Sequence, residues 1–180
     1  MLFTWLQALE KECLKRGIPI LGKEKGTWLH QKVKELKPSR ILELGTANGY
    51  SGIILGSEGA QLHTIELNPF LVEEAEKNFA KFKVVARVIT GDAIAEVKNL
   101  AAKPKYAEKF DLIFIDFTKS KYIEALPECL KLVRKGGAII ADNITFTGCQ
   151  DYKEAVLRHP QLKTEIISIR DGLSYSVRTR

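Results

Sequence analysis

The stretch "RILELGTANGYSGIILG" (residues 40–56) puts a strand, a glycine loop and the start of a helix side by side. Arg40–Leu44 is a short apolar, β-rich run. Gly45 follows it directly, and Gly49 and Gly52 sit where a helix begins. A strand that runs through glycines into a helix lets a ligand approach the backbone and face the helix N-terminus. The glycine order is G-x-x-x-G-x-x-G, one residue longer before the second glycine than the dinucleotide fingerprint. A plain tight turn would also use these glycines, so the reading depends on what surrounds them.

Outward from this stretch, strands and helices alternate. Strands are expected at 40–44, 61–67, 84–90, 110–116, 136–142, 163–169 and 173–178. Helices are expected from 49, and over 69–82, 92–103, 120–133 and 152–159. Pro69 opens one of them and Asp92 caps another. Such alternation predicts an α/β fold: a Rossmann-like, doubly wound, seven-stranded sheet, mostly parallel and covered on both faces. The last two strands are too close in sequence for a helical crossover, which makes them an antiparallel pair. No linker or repeat divides the chain, so 1–180 reads as one domain whose first 40 residues form a helical N-terminal arm.

The chain has 180 residues, 45% of them hydrophobic and 28% charged, the make-up of an ordinary globular domain. No apolar run approaches a membrane span, and the amphipathic start lacks a signal peptide's pattern. The expectation is therefore a cytoplasmic protein with no membrane partner. Three cysteines and three histidines are widely spaced, which argues against a disulfide framework or a zinc site. The net charge of +6 is concentrated at the ends: residues 1–40 hold nine Lys/Arg against four Glu. A nucleic-acid or acidic partner would fit, but solvated Lys-rich helices are the simpler account.

In open α/β sheets ligands bind beyond the carboxyl ends of the strands. Glu66 closes the second strand 21 residues after Gly45, where a carboxylate can accept hydrogen bonds from both hydroxyls of a ribose. Asp92, after the third strand, could meet an adenine edge or simply cap its helix. The glycine loop and Glu66 together point to an adenosine-containing cofactor without saying which.

"FIDFTKSKY" (114–122) ends the fourth strand with Asp116, and "IIADN" (139–143) ends the fifth with Asp142 and Asn143. Strands four and five should be neighbours, which brings two carboxylates and an amide oxygen together. An oxygen-only set of this kind suits Mg²⁺, Mn²⁺ or Ca²⁺. Lys119, three residues past Asp116, projects toward the same place, where a lysine near a divalent cation can act as a general base.

With these residues in place the chain resembles the metal-dependent, catechol-type O-methyltransferases (O-methyltransferase family 3), which use S-adenosylmethionine. "ELGTANGYS" resembles that family's first motif, "IEL" its ribose-binding strand end, "FIDFTKSKY" its Asp-x-x-Lys-x-x-Tyr segment and "ADN" its second metal motif. "IPILGKEKG" (18–26), "DNITFTG" (142–148) and "HPQLKTEIISIRDGLSYSV" (159–177) are similar to the bacterial branch that methylates 5-hydroxyuridine in tRNA.

The resemblance implies that Leu21 touches the methionine part of the cofactor. It implies that Glu43, Gly45 and Ser51 line its amino-acid end, Glu66 its ribose, and Asp92 with Ala93 its adenine. Asp116, Asp142 and Asn143 would hold a divalent cation, and Lys119 would be the base beside Asp116. The acceptor would be a hydroxyl of tRNA or of a catechol-like small molecule, and a homodimer is the family's habit. Glu165 is a further residue expected at the acceptor edge from its spacing to "DGL". Thr118 replaces a more usual Asp or Ala, and the segment after Asn143 is shorter than in relatives, which leaves the acceptor open. A nicotinamide-dependent oxidoreductase and a non-catalytic cofactor-binding protein are the competing readings.

Overall fold

Along β4 (Phe110–Ile115) successive side chains enter opposite cores. Leu112 and Phe114 join one apolar cluster, while Ile113 and Ile115 join the other. This is the period-two geometry of a strand buried on both faces, and it accounts for the unbroken apolar run in the sequence. The structure is a computed structural model that describes residues 2–179.

The sheet has seven strands in the order β3-β2-β1-β4-β5-β7-β6. Its other members are β1 (Arg40–Leu44), β2 (Gln61–Glu66), β3 (Ala86–Thr90), β5 (Val133–Asp142), β6 (Leu162–Ile167) and β7 (Leu173–Arg178). The pairs β1–β2, β1–β4, β2–β3 and β4–β5 are parallel; β7 is antiparallel to both β5 and β6. The expected α/β architecture is therefore present, including the antiparallel C-terminal pair. β7 lies between β5 and β6, so its first residue, Leu173, faces Asp142 at the end of β5. This places the β6–β7 connection at the same rim as the parallel strand ends.

One face of the sheet is covered by α1 (Leu2–Arg16), α2 (Lys23–Leu36), α3 (Tyr50–Gly56) and α4 (Pro69–Phe82). The other face carries α5 (Ala93–Ala101), α6 (Tyr122–Leu132) and α7 (Gln150–Arg158). The N-terminal helices are part of the first core: Leu6, Cys13, Leu29 and Val33 are fully buried. Among the described residues no helix is long and apolar enough to cross a membrane.

Several boundaries differ from the sequence expectation by a few residues, two of them for a visible local reason. The helix expected from 120 starts at Tyr122 after a 3₁₀ turn over Lys119–Lys121. Strand five starts at Val133, because Val133 pairs with Phe110 ahead of an irregularity in the β4–β5 register.

Candidate functional site

The carboxyl ends of β1, β2, β3, β4 and β5 open onto a cavity of about 920 Å³. Gly45, with φ of 99°, turns the chain off β1. A Cβ there would stand 2.0 Å from the carbonyl oxygen of Asp116, so only glycine lets β1's loop press against the end of β4. Gly52 is held to glycine by crowding, since a Cβ would meet the Phe79 ring at 2.7 Å.

Glu66 lines the cavity and accepts hydrogen bonds from the backbone N–H of Ala47 (2.9 Å) and of Asn68 (2.9 Å). These bonds fix the carboxylate across the glycine loop and leave lone pairs directed to a ligand. Asp92 and Ala93 also line the cavity. Asp92 accepts from the N–H of Ala95 at 3.0 Å, so it does cap α5, and this bond holds its carboxyl below the usual range. Cap and cavity-facing acid are thus one residue. Leu21 and Ser51 complete this half of the wall.

Glu43 does not line the cavity. It is fully buried beneath the loop, where it accepts from Ser51 Oγ and Thr64 Oγ1, both at 2.6 Å. Burial pushes its carboxyl up to about 8, against the pull of those two hydroxyls. Its place in the structure is to brace the loop through Ser51.

At the other end of the cavity, Ile115 of β4 pairs with Ala141 of β5. Asp116 and Asp142 follow them directly, and both line the cavity, as does Asn143. Asn143 has φ of 55°, a left-handed conformation that asparagine tolerates better than most residues. Its N–H donates to Asp142 Oδ1 at 2.7 Å, and its Nδ2 donates to Asp171 Oδ2 at 2.6 Å. Burial and the charge of Asp116 raise the Asp142 carboxyl, while Lys25 opposes the shift.

Lys119 Nζ donates to Asp116 Oδ1 at 2.5 Å and lies 5.6 Å from the centre of the Tyr122 ring. Tyr122 in turn stacks on Phe117, with 5.3 Å between ring centres. The spacing Asp-x-x-Lys-x-x-Tyr therefore has a physical basis: one 3₁₀ turn sets the ammonium between a carboxylate and an aromatic face. The short segment after Asn143 closes against this turn. A Cβ on Gly148 would lie 3.4 Å from Lys119 Cβ, and Phe146, 47% exposed, forms part of the cavity rim.

Among the described residues no three His, Cys, Asp or Glu side chains form a metal cluster. The set at these strand ends is two carboxylates and one amide. One oxygen of Asp116 and one of Asp142 take the bonds named above, leaving the other free. The Asn143 amide uses its NH₂ on Asp171, leaving its oxygen free. Three hard oxygens at one rim fit a divalent cation such as Mg²⁺ or Mn²⁺.

Two residues of this site escaped the sequence reading. Lys25 of α2 is 2% exposed and donates to both Asp142 Oδ1 and Asp171 Oδ1. It had been counted among the solvated lysines of the N-terminal region. Asp171 precedes β7; its signal was the antiparallel pairing, which returns the chain to the end of β5. Glu165, expected at the acceptor edge, is exposed in mid-β6 opposite Tyr175 and does not line the cavity.

A family profile described as O-methyltransferase matches residues 3–179. Catechol O-methyltransferase B of Danio rerio is 34% identical over 186 residues, covering 96% of this chain and 70% of that protein. Catechol O-methyltransferase of Niastella koreensis is 32% identical over 150 residues, 79% of this chain and 67% of that protein. Among solved structures, the O-methyltransferase TomG of Streptomyces achromogenes, in complex with S-adenosylmethionine, has a TM-score of 0.85 at 25% identity, covering 97% of this chain and 90% of that one. The fold also matches an O-methyltransferase of Bacillus cereus in complex with S-adenosylhomocysteine, with a TM-score of 0.86 at 24% identity over 97% of this chain and 90% of that one. The glycine loop, the strand-end acids and these matches agree, and the chain belongs to the O-methyltransferase family, enzymes that take their methyl group from S-adenosylmethionine.

Proposed function

We propose that the protein methylates one hydroxyl of an acceptor bearing two adjacent oxygens, assisted by a divalent cation held by Asp116, Asp142 and Asn143. The observation that carries this reading is the pairing of Ile115 with Ala141, which sets both acids at one rim of the cofactor-sized cavity. Leu21, Gly45, Ser51, Glu66, Asp92 and Ala93 would hold the cofactor along the other rim. Glu43 acts behind them, through Ser51.

Asp116, Asp142 and Asn143 would hold a divalent cation, whose charge would favour ionisation of the acceptor hydroxyl. Lys119 enters this step as the neutral amine, its ammonium proton having passed to solvent; Nζ then accepts the acceptor's proton and holds it in the hydrogen bond to Asp116. The acceptor oxygen then bonds to the sulfonium methyl carbon as the carbon–sulfur bond breaks, giving the methyl ether and S-adenosylhomocysteine. Holding the two partners in contact removes the entropic cost of their encounter, the other large contribution to the rate. The Phe146 side chain at the rim offers an apolar surface for a flat acceptor ring.

Two acceptor rings present the required oxygens: a catechol, and the 5-hydroxyuracil of a modified tRNA. The names of the relatives favour the first; the tail and "DNITFTG" segments, with the net charge of +6, favour the second. The deciding test is transfer of labelled methyl from S-adenosylmethionine to total tRNA carrying 5-hydroxyuridine and to a catechol panel, with and without Mg²⁺. Mg²⁺-dependent labelling of either pool supports the reading. Cofactor binding without transfer to either would count against the reading and favour a non-catalytic binding protein.

A further inference from the structure

Lys25 is buried at the junction of three elements that the sequence separates widely. It belongs to α2, Asp142 ends β5, and Asp171 lies in the connection between β6 and β7. Its ammonium donates to Asp142 Oδ1 and Asp171 Oδ1, and Asp171 Oδ2 accepts from Asn143 Nδ2 at 2.6 Å. The N–H of Asn143 returns to Asp142 Oδ1 at 2.7 Å. Lys25, Asp142, Asn143 and Asp171 thus close a ring of charge-assisted hydrogen bonds, the strong class of such bonds.

The ring has a directional consequence. Both Lys25 and the Asn143 N–H engage the same oxygen of Asp142, so the carboxylate cannot turn without breaking two bonds, and Oδ2 is the oxygen left over. Asp171 takes the NH₂ of Asn143, so the amide oxygen is the end left over there. Lys25 holds Asp171 in place for that task. A buried lysine with only a structural duty needs one carboxylate; this one has two, and each orients a different member of the proposed cation set.

We propose that Lys25 is a positioning residue for the cation site: through Asp142 directly and Asn143 by way of Asp171, it turns one oxygen of each toward the ion. This rests on the reading that Asp116, Asp142 and Asn143 hold a divalent cation. It also gives α2 a task beyond packing, because the same helix follows directly on the segment that carries Leu21 at the cofactor cavity.

The test is Mn²⁺ affinity, measured by calorimetry and by the electron paramagnetic resonance of free Mn²⁺, on the wild-type chain, Lys25→Met and Asp171→Asn. S-adenosylhomocysteine binding and thermal unfolding serve as controls. Loss of a group that orients a metal ligand weakens the metal by about 10–100-fold. Lys25→Met and Asp171→Asn are both expected to weaken Mn²⁺ by that factor while S-adenosylhomocysteine binds within about threefold of the wild type. Removing a positive charge without any loss of orientation would tighten Mn²⁺, so the sign of the change separates the two roles. Unchanged or tighter Mn²⁺ binding by Lys25→Met overturns the proposal; should that variant not fold, the same result from Asp171→Asn overturns it. A wild-type chain that binds no Mn²⁺ overturns the cation reading itself, and this inference with it.

Discussion

Gly45 and Asp116 meet backbone to backbone: a Cβ on Gly45 would stand 2.0 Å from the carbonyl oxygen of Asp116. The glycine loop and the first acid of the proposed cation set are therefore one mechanical unit. Gly45→Ala forces both a left-handed alanine and a displacement of the β4 end. It should cost about 3 kcal/mol or more of stability and abolish S-adenosylhomocysteine binding. Gly59→Ala is the control. Gly59 also has positive φ, 88°, but a Cβ there meets nothing within 4 Å. It should cost only about 1 kcal/mol and leave binding intact, as read by thermal unfolding and calorimetry.

Lys119→Met should lower kcat by about 10²–10⁴-fold, the usual contribution of a positioned acid or base. Binding of S-adenosylhomocysteine should hold, because Lys119 bonds Asp116 and faces Tyr122 rather than the glycine loop. A rise in the acceptor's KM with kcat unchanged would assign the residue to acceptor binding instead.

Glu43 makes stability depend on pH in a specified sense. Its carboxyl is raised from about 4.5 to about 8 in the folded protein. Below pH 4.5 both states carry the proton, and the contribution is at its fullest. As pH rises from 4.5 to 8 the unfolded chain ionises while the folded one does not, so stability falls, by on the order of 1 kcal/mol per pH unit. Above the folded value the loss levels off. Glu43→Gln keeps the shape and lets the Ser51 and Thr64 hydroxyls reorient to satisfy the amide. Denaturant titrations of the variant from pH 5 to 8 should show a flatter profile than the wild type.

Asp92 caps α5 and, in the proposed reading, also meets the cofactor, two roles that substitutions can separate. Asp92→Ala removes the bond to the Ala95 N–H and should cost about 1 kcal/mol, besides weakening the cofactor. Asp92→Asn keeps an oxygen for the cap, so its stability should match the wild type while cofactor affinity still changes.

Most of the fold was legible because it rests on local chemistry. Apolar runs such as 112–115 and 138–141, with glycines or acids at their ends, marked the strands, and the strand-to-helix alternation set the layers. Asp116, Asp142 and Asn143 were legible only as a set: either strand end alone reads as a cap or a turn, but polar residues closing two adjacent strands converge. The burial of Glu43 beneath the loop was not legible, because it depends on Ser51 and Thr64, which belong to other elements. Lys25 was hidden for a related reason: in sequence it is one lysine among several on an amphipathic helix. Only the antiparallel return of β7 puts Asp171 beside Asp142 and makes a buried ammonium tolerable. Glu165 fell on the exposed side of β6 because spacing to "DGL" does not fix which way a strand residue points.

The most direct test of the account is methyl transfer after removal of divalent ions. The wild-type chain, dialysed against chelator, should transfer no methyl from S-adenosylmethionine to a catechol or to 5-hydroxyuridine in tRNA. Added Mg²⁺ or Mn²⁺ should restore turnover, and the double variant Asp142→Ala, Asn143→Ala should stay inactive in their presence. Full activity in chelator, or in that double variant, would contradict the account.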